Sequence, residues 1–132
     1  MRKNKPVDHY ALIGEKAFTA QVIKLGQWLG WRTFHARPAI NQRGKWLTAV
    51  QGDGAGFPDL VMAHDKQGRL IFAELKTETG RVSDKQNEWL DDLVAVQDYV
   101  DSYCPSAYKA VYVCVWRPSQ IDEIEMILRG LI

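Results

Sequence analysis

The segment Gly56 to Lys76, GFPDLVMAHDKQGRLIFAELK, sets an aspartate where one apolar run begins and a glutamate and a lysine where the next one ends. With the turn in DKQG, Asp65 to Gly68, the two runs read as a β-hairpin. A symmetric register about that turn pairs His64 with Arg69 and places Asp59 opposite Glu74, their Cβ atoms about 5 Å apart. Two carboxylates facing each other beside apolar strands repel and are costly to desolvate, so the pair needs a cation. Lys76, on the face of Glu74 by the two-residue period and about 7 Å further along, is one candidate. A divalent metal is the other, because two carboxylates and the backbone carbonyl of Leu75 suit a hard cation that keeps several waters and room for a phosphate oxygen. A metal there would polarise a phosphodiester and acidify a bound water. Lys76 would orient that water or neutralise the charge that develops at phosphorus.

Plainer readings exist for each residue. Asp59 could simply open a strand after Pro58, and Glu74 with Lys76 could be a solvated pair on an edge strand. Leu70, Ile71, Phe72, Ala73 and Leu75 leave that strand no polar face, which argues for a central position.

The elements that must position these groups follow from periodicity. In DHYALIGEKAFTAQVIKLGQWLG, Phe18, Val22, Leu25 and Leu29 recur at helical spacing, Glu15 falls on the same stripe, and Gly30 is a C-cap candidate. WRTFH reads as a short strand. Residues 36–56 show no clean period and form a long loop of the kind that is usually functional or mobile. SDKQNEWLDDLVAVQDYVDSY is a helix with Gln86, Leu90, Leu93, Gln97 and Val100 on one face and a Ser83 to Gln86 capping box at its start. Ala107 to Trp116 is a buried strand by its β-branched and aromatic content, and RPSQIDEIEMILRGLI closes the chain as a helix with Ser119 as N-cap. The expectation is an α/β fold, a small mixed sheet flanked by helices.

At 132 residues the chain is expected to be a single domain, with residues 1–8 a flexible basic N-terminus. Its 46% hydrophobic and 25% charged residues are those of an ordinary globular protein, and a net charge of +1 favours no class of partner. Cys104 and Cys114 show no C-x-x-C spacing, His9, His35 and His64 are scattered, and no apolar run nears the roughly 18 residues of a membrane span. A cytoplasmic protein is expected, without membrane association. Trp28, Trp31, Trp89 and Trp116 are assigned to core or interface packing and His64 to a strand end.

Pro58-Asp59 followed by Glu74-Leu75-Lys76 resembles the PD-(D/E)-x-K nuclease signature. The ordered set Glu15, Gly56-Phe57-Pro58-Asp59, Glu74-Leu75-Lys76 and Gln86 is similar to its VRR-NUC branch, which includes phage-encoded and Holliday-junction-resolvase-like members, over the stretch from Glu15 to Pro118. The resemblance implies a restriction-endonuclease-like αβββαβ core plus the C-terminal helix. It implies that Asp59, Glu74 and the Leu75 carbonyl hold Mg²⁺ or Mn²⁺, that Glu15 supports the metal, that Lys76 assists the nucleophile and that Gln86 completes the site. Gln86 has a rival role, since as the third residue of the capping box it can fold back on the Ser83 N–H. Arg37, Arg43 and Lys45 in the long loop, with Arg81 and Lys85 after the hairpin, would bind DNA phosphates or remain solvated, and Trp46 would stack on an unpaired base.

The expected activity is metal-dependent endonucleolytic hydrolysis of DNA, selective for branched or distorted substrates. A small domain of near-neutral charge would work as a homodimer or with protein partners, in the host cytoplasm if phage-encoded. The competing expectations are a catalytically silent DNA- or protein-binding module on the same fold, and a nuclease acting on RNA.

Overall fold

The computed structural model describes residues 8–36, 52–105 and 109–132 and the backbone of 39–40 and 46–47. The expected N-terminal arm, Asp8 excepted, and Arg37, Arg43 and Lys45 lie outside the described residues.

Helix α1 spans Glu15–Trp28 and begins later than the apolar period suggests. Gly14 is extended, with φ −71° and ψ 158°, and the preceding Tyr10–Leu12 form a separate 3₁₀ turn closed by bonds to Asp8 and His9 carbonyls. Gly30, at φ 92°, ends the helix. Its N–H reaches the Gln27 carbonyl at 3.1 Å and the Trp31 N–H reaches that of Gly26 at 2.9 Å, the paired bonds that satisfy the last carbonyls of a helix stopped by a left-handed residue.

Strands β1 (Arg32–His35), β4 (Leu60–His64), β5 (Arg69–Leu75) and β6 (Val111–Trp116) form one sheet in the order β1-β4-β5-β6. The first two pairings are antiparallel and β5 with β6 is parallel. The long loop contains an unforeseen pair, β2 (Ala39–Ile40) against β3 (Trp46–Leu47). Two residues per strand are too few to leave a legible alternation.

The hairpin register is the one expected, His64 against Arg69 and onward to Leu60 against Ala73, with Gly68 at φ 63° in the turn. β5 is central and covered on both faces. Ile71, Ala73 and Leu75 join Leu60, Met62, Phe18, Val22 and Trp116, over which α3 (Ile121–Leu128) lays Ile124, Ile127 and Leu128. On the other face Phe72 meets Phe57 edge-on at 6.3 Å, and Phe57 meets Trp89 of α2 (Asp84–Tyr103) at 5.0 Å.

Helix α2 buries Leu90 and Gln97 and half-buries Gln86, Leu93 and Val100, the face set by their spacing. It packs on β6, which is an edge strand and mostly half-buried where the sequence suggested full burial. Gln97 Oε1 accepts from the Val113 N–H at 2.8 Å, satisfying an amide on the open edge of that strand. At α3 the expected Ser119 cap does not form. Pro118–Gln120 is a 3₁₀ turn and Gln120 leads into the helix, because its own side chain is drawn back to accept from the Arg117 N–H. Trp28 is 73% exposed rather than packed, under the guanidinium of Arg129 at 5.7 Å. Among the described residues both cysteines are free and no helix is long and apolar enough to cross a membrane.

Candidate active site

Glu74 is the last but one residue of β5 and points away from the aliphatic core, toward the N-terminus of α2. Only 1% of it is exposed. Gln86 Nε2 donates to its Oε1 at 2.7 Å, and Lys76 Nζ lies 3.6 Å from the same oxygen. Its Oε2 is buried with no hydrogen-bond partner. Such an orphaned carboxylate oxygen is expensive to bury and calls for an explanation.

Asp59 supplies part of it. The paired register ends at Leu60 against Ala73, which leaves Asp59 and Glu74 as the next residues out on the two chains, and the Asp59 side chain takes over there, its Oδ2 accepting from the Leu75 N–H at 2.8 Å. Burial first, then the charge of Asp59, push the Glu74 carboxyl up from 4.5 to about 8. A proton on Glu74 turns the contact with Asp59 into a hydrogen bond, whereas two bare carboxylates have only acceptors to offer each other. Lys76 pulls in the opposite direction, and Glu15 adds a smaller repulsion.

Local sequence explains why these groups meet. Gly56, at φ 82°, brings its backbone against α2 so closely that a Cβ there would lie 2.4 Å from the Lys85 carbonyl carbon. The bend it makes is tied down from the helix by Trp89, whose indole N–H donates to the Asp53 carbonyl at 2.7 Å. Pro58, fully buried, then delivers Asp59 to the mouth of the hairpin. At α2 the capping box forms, Ser83 Oγ accepting from the Gln86 N–H and Gln86 Oε1 accepting from the Ser83 N–H. Gln86 thus makes both contacts at once, its oxygen capping the helix and its nitrogen donating to Glu74.

Glu15 stands exposed at the first position of α1, near enough for its charge to bear on Glu74. Among the described residues no three acidic, histidine or cysteine side chains gather closely enough to hold a metal by themselves. Arg81 and Lys85 are exposed beside the cap of α2, Lys85 within 3.4 Å of Glu88. For Trp46 the structure gives a backbone position in β3. Gly56 and Trp89 gained their positioning roles from tertiary contact, which their spacing does not signal.

The donor set suits a hard divalent cation: two carboxyl groups in contact, one with an unpartnered buried oxygen, beside the Leu75 carbonyl, which lies on the same edge of β5 as the amide that Asp59 holds. No curated protein and no solved structure matches the chain. A family model, the VRR-NUC domain, matches residues 19–101, well over half of the chain. The match takes in Asp59, Glu74, Leu75, Lys76 and Gln86 and leaves Glu15 outside. The chain thus belongs to the VRR-NUC family, a nuclease-type domain with the PD-(D/E)XK-like fold.

Proposed function

We propose that the protein is a divalent-metal-dependent endonuclease that hydrolyses phosphodiester bonds in DNA, using Mg²⁺ or Mn²⁺ and preferring branched or distorted substrates. The observation that carries the proposal is the buried, unpartnered Glu74 Oε2 held against Asp59. Asp59, Glu74 and the Leu75 carbonyl would hold the cation, which when bound polarises a phosphate oxygen and acidifies an attacking water. Gln86 fixes the rotamer of Glu74 through Oε1 and leaves Oε2 for the ligand. Lys76, only 13% exposed in its side chain, lies beside Glu74 and faces the charge that builds on the phosphate oxygens. Glu15 adds negative potential on the approach to the site.

Water gives up a proton to solvent as its oxygen bonds to phosphorus, the P–O bond to the leaving sugar oxygen breaks, and that oxygen takes a proton from solvent. Arg81 and Lys85, with the loop residues Arg37, Arg43, Lys45 and Trp46, are proposed to contact the nucleic acid. Selectivity for branched DNA rests chiefly on the likeness to the VRR-NUC family, a homodimer or further protein partners on the near-neutral charge of the chain, and a cytoplasmic setting on its two unpaired cysteines. Labelled linear, flapped and four-way-junction DNA incubated with Mg²⁺, Mn²⁺ or Ca²⁺ tests the reading. Cleavage with Mg²⁺ or Mn²⁺, absent for Glu74→Ala and strongest on the junction, is expected. Binding without cleavage under every condition would replace the nuclease with a silent DNA-binding module, and cleavage of RNA alone would reassign the substrate.

A further inference from the structure

Between Lys76 and the cap of α2 the chain leaves the sheet for residues 77–82, a stretch whose course decides how Lys76 and Gln86 sit relative to Glu74. This stretch has little apolar content of its own to hold it. It is instead gripped from the segment after β6. Arg117 Nη1 donates to the carbonyls of Thr77 and Gly80, each at 2.7 Å, and lies 3.4 Å from that of Glu78. The Ser119 N–H adds a bond to Glu78 Oε2 at 3.1 Å. Arg117 is itself fixed, its N–H held by Gln120 Oε1 at 2.9 Å and its neighbour Trp116 accepting from the Lys76 N–H at 3.0 Å. Gly80 lies close over the turn, where a Cβ would stand 2.8 Å from Thr77 Oγ1.

We infer that Arg117 is a positioning residue for the site: by clamping the 77–80 carbonyls it closes a ring of contacts running from Glu74 along β5 to Lys76, through the clamped turn to Ser83, and back through Gln86 to Glu74. The effect on catalysis rests on the nuclease reading above; the effect on Gln86 does not. Arg117 lies beyond the matched family region and touches neither carboxylate. It acts by fixing backbone. The three carbonyls converge on one nitrogen, Nη1, at the far end of the arginine side chain, a reach that the shorter and more flexible lysine stem does not reproduce.

The test compares Arg117→Met, Arg117→Lys and Glu78→Ala in the full chain. In metal-free protein, the Gln86 side-chain amide should lose its hydrogen-bonded NMR shift and its protection from exchange in both Arg117 variants, and in part in Glu78→Ala. With DNA and Mg²⁺ saturating, kcat should fall about 10- to 100-fold in both, with KM and the salt dependence of DNA binding unchanged. Arg117→Met combined with Gln86→Ala should cut no more slowly than Gln86→Ala alone. An unaltered Gln86 amide in the Arg117 variants would overturn the inference. So would a loss confined to KM with a shallower salt slope, which would make Arg117 a phosphate contact. Should Arg117→Met fail to fold, Glu78→Ala carries the same decision on the amide. If the wild type cuts no nucleic acid, the nuclease reading fails while the Gln86 spectrum still judges the clamp.

Discussion

At the turn end of the β4–β5 hairpin Arg69 is 4% exposed, and at its open end Glu74 is 1% exposed. Both ends bury an ionisable group, but the surroundings differ. Arg69 donates through Nε to the Lys109 carbonyl and through Nη1 to that of Ile127, both at 3.0 Å, and its guanidinium lies 5.9 Å from the ring centre of Tyr112. His64, beside it, accepts from the Gln67 N–H at 3.1 Å and lies 3.2 Å from the Leu29 carbonyl, while Gln67 Nε2 donates to the Leu128 carbonyl at 3.0 Å. These bonds tie the turn to the C-terminal ends of α1 and α3. The open end carries two carboxyl groups in contact and an oxygen with no partner. One end of the hairpin uses its polar groups to close the fold; the other leaves a buried carboxylate oxygen without a partner, which the proposed function assigns to a metal.

The largest effect that separates the ends is on cleavage. Glu74→Ala should reduce metal-dependent hydrolysis to background, while Arg69→Met should leave kcat intact at temperatures where the variant stays folded. A substantial loss of kcat in folded Arg69→Met would break the division between the ends. Next comes stability: Arg69→Met strands buried carbonyls and should cost about 3 kcal/mol in urea unfolding. Below these, Gln86→Ala should weaken metal affinity or turnover about 10- to 100-fold by releasing Glu74. Ser83→Ala removes the other half of the cap and should cost about 1 kcal/mol of stability, with a far smaller loss of turnover.

The finest distinction is in pH. The carboxyl of Glu74 titrates higher in the folded state than in the unfolded chain, so between 4.5 and about 8 the folded protein holds a proton that the unfolded chain has lost. Metal-free stability from this group is therefore fully present at the acid side of that window and declines as pH rises through it. Urea midpoints measured across the window should show the decline in the wild type and a flatter profile in Glu74→Gln. Asp59→Asn, which keeps an acceptor for the Leu75 N–H, should raise metal-free stability above about pH 8, where Glu74 of the wild type loses its proton beside Asp59.

The hairpin was legible because its physics is local: a short turn fixes the register, and the register fixes which residues face each other. Asp59, Glu74 and Lys76 could therefore be placed together by counting, and the capping box at Ser83 was equally explicit. What sequence could not show were contacts whose partners are distant in the chain. Arg117 looks like any basic residue beside a proline until the 77–80 carbonyls surround it. Trp89 has the composition of a core residue but spends its N–H on Asp53. Trp28 and Trp31 are alike in type and neighbourhood, yet Trp31 is 2% exposed and donates to the Leu128 carbonyl while Trp28 lies outside. The late start of α1 turned on the extended backbone of Gly14, which an apolar period running through it concealed.

The buried carboxyl pair is proposed to be a metal site at which Glu74 gives up a proton when the metal binds. Calorimetric titration of the protein with Mn²⁺ at about pH 7, in two buffers of different ionisation enthalpy, tests it most directly. The predicted result is saturable binding with close to one proton released, both lost in Glu74→Gln. Binding of equal strength in the wild type and Glu74→Gln, or no binding to the wild type, would contradict it.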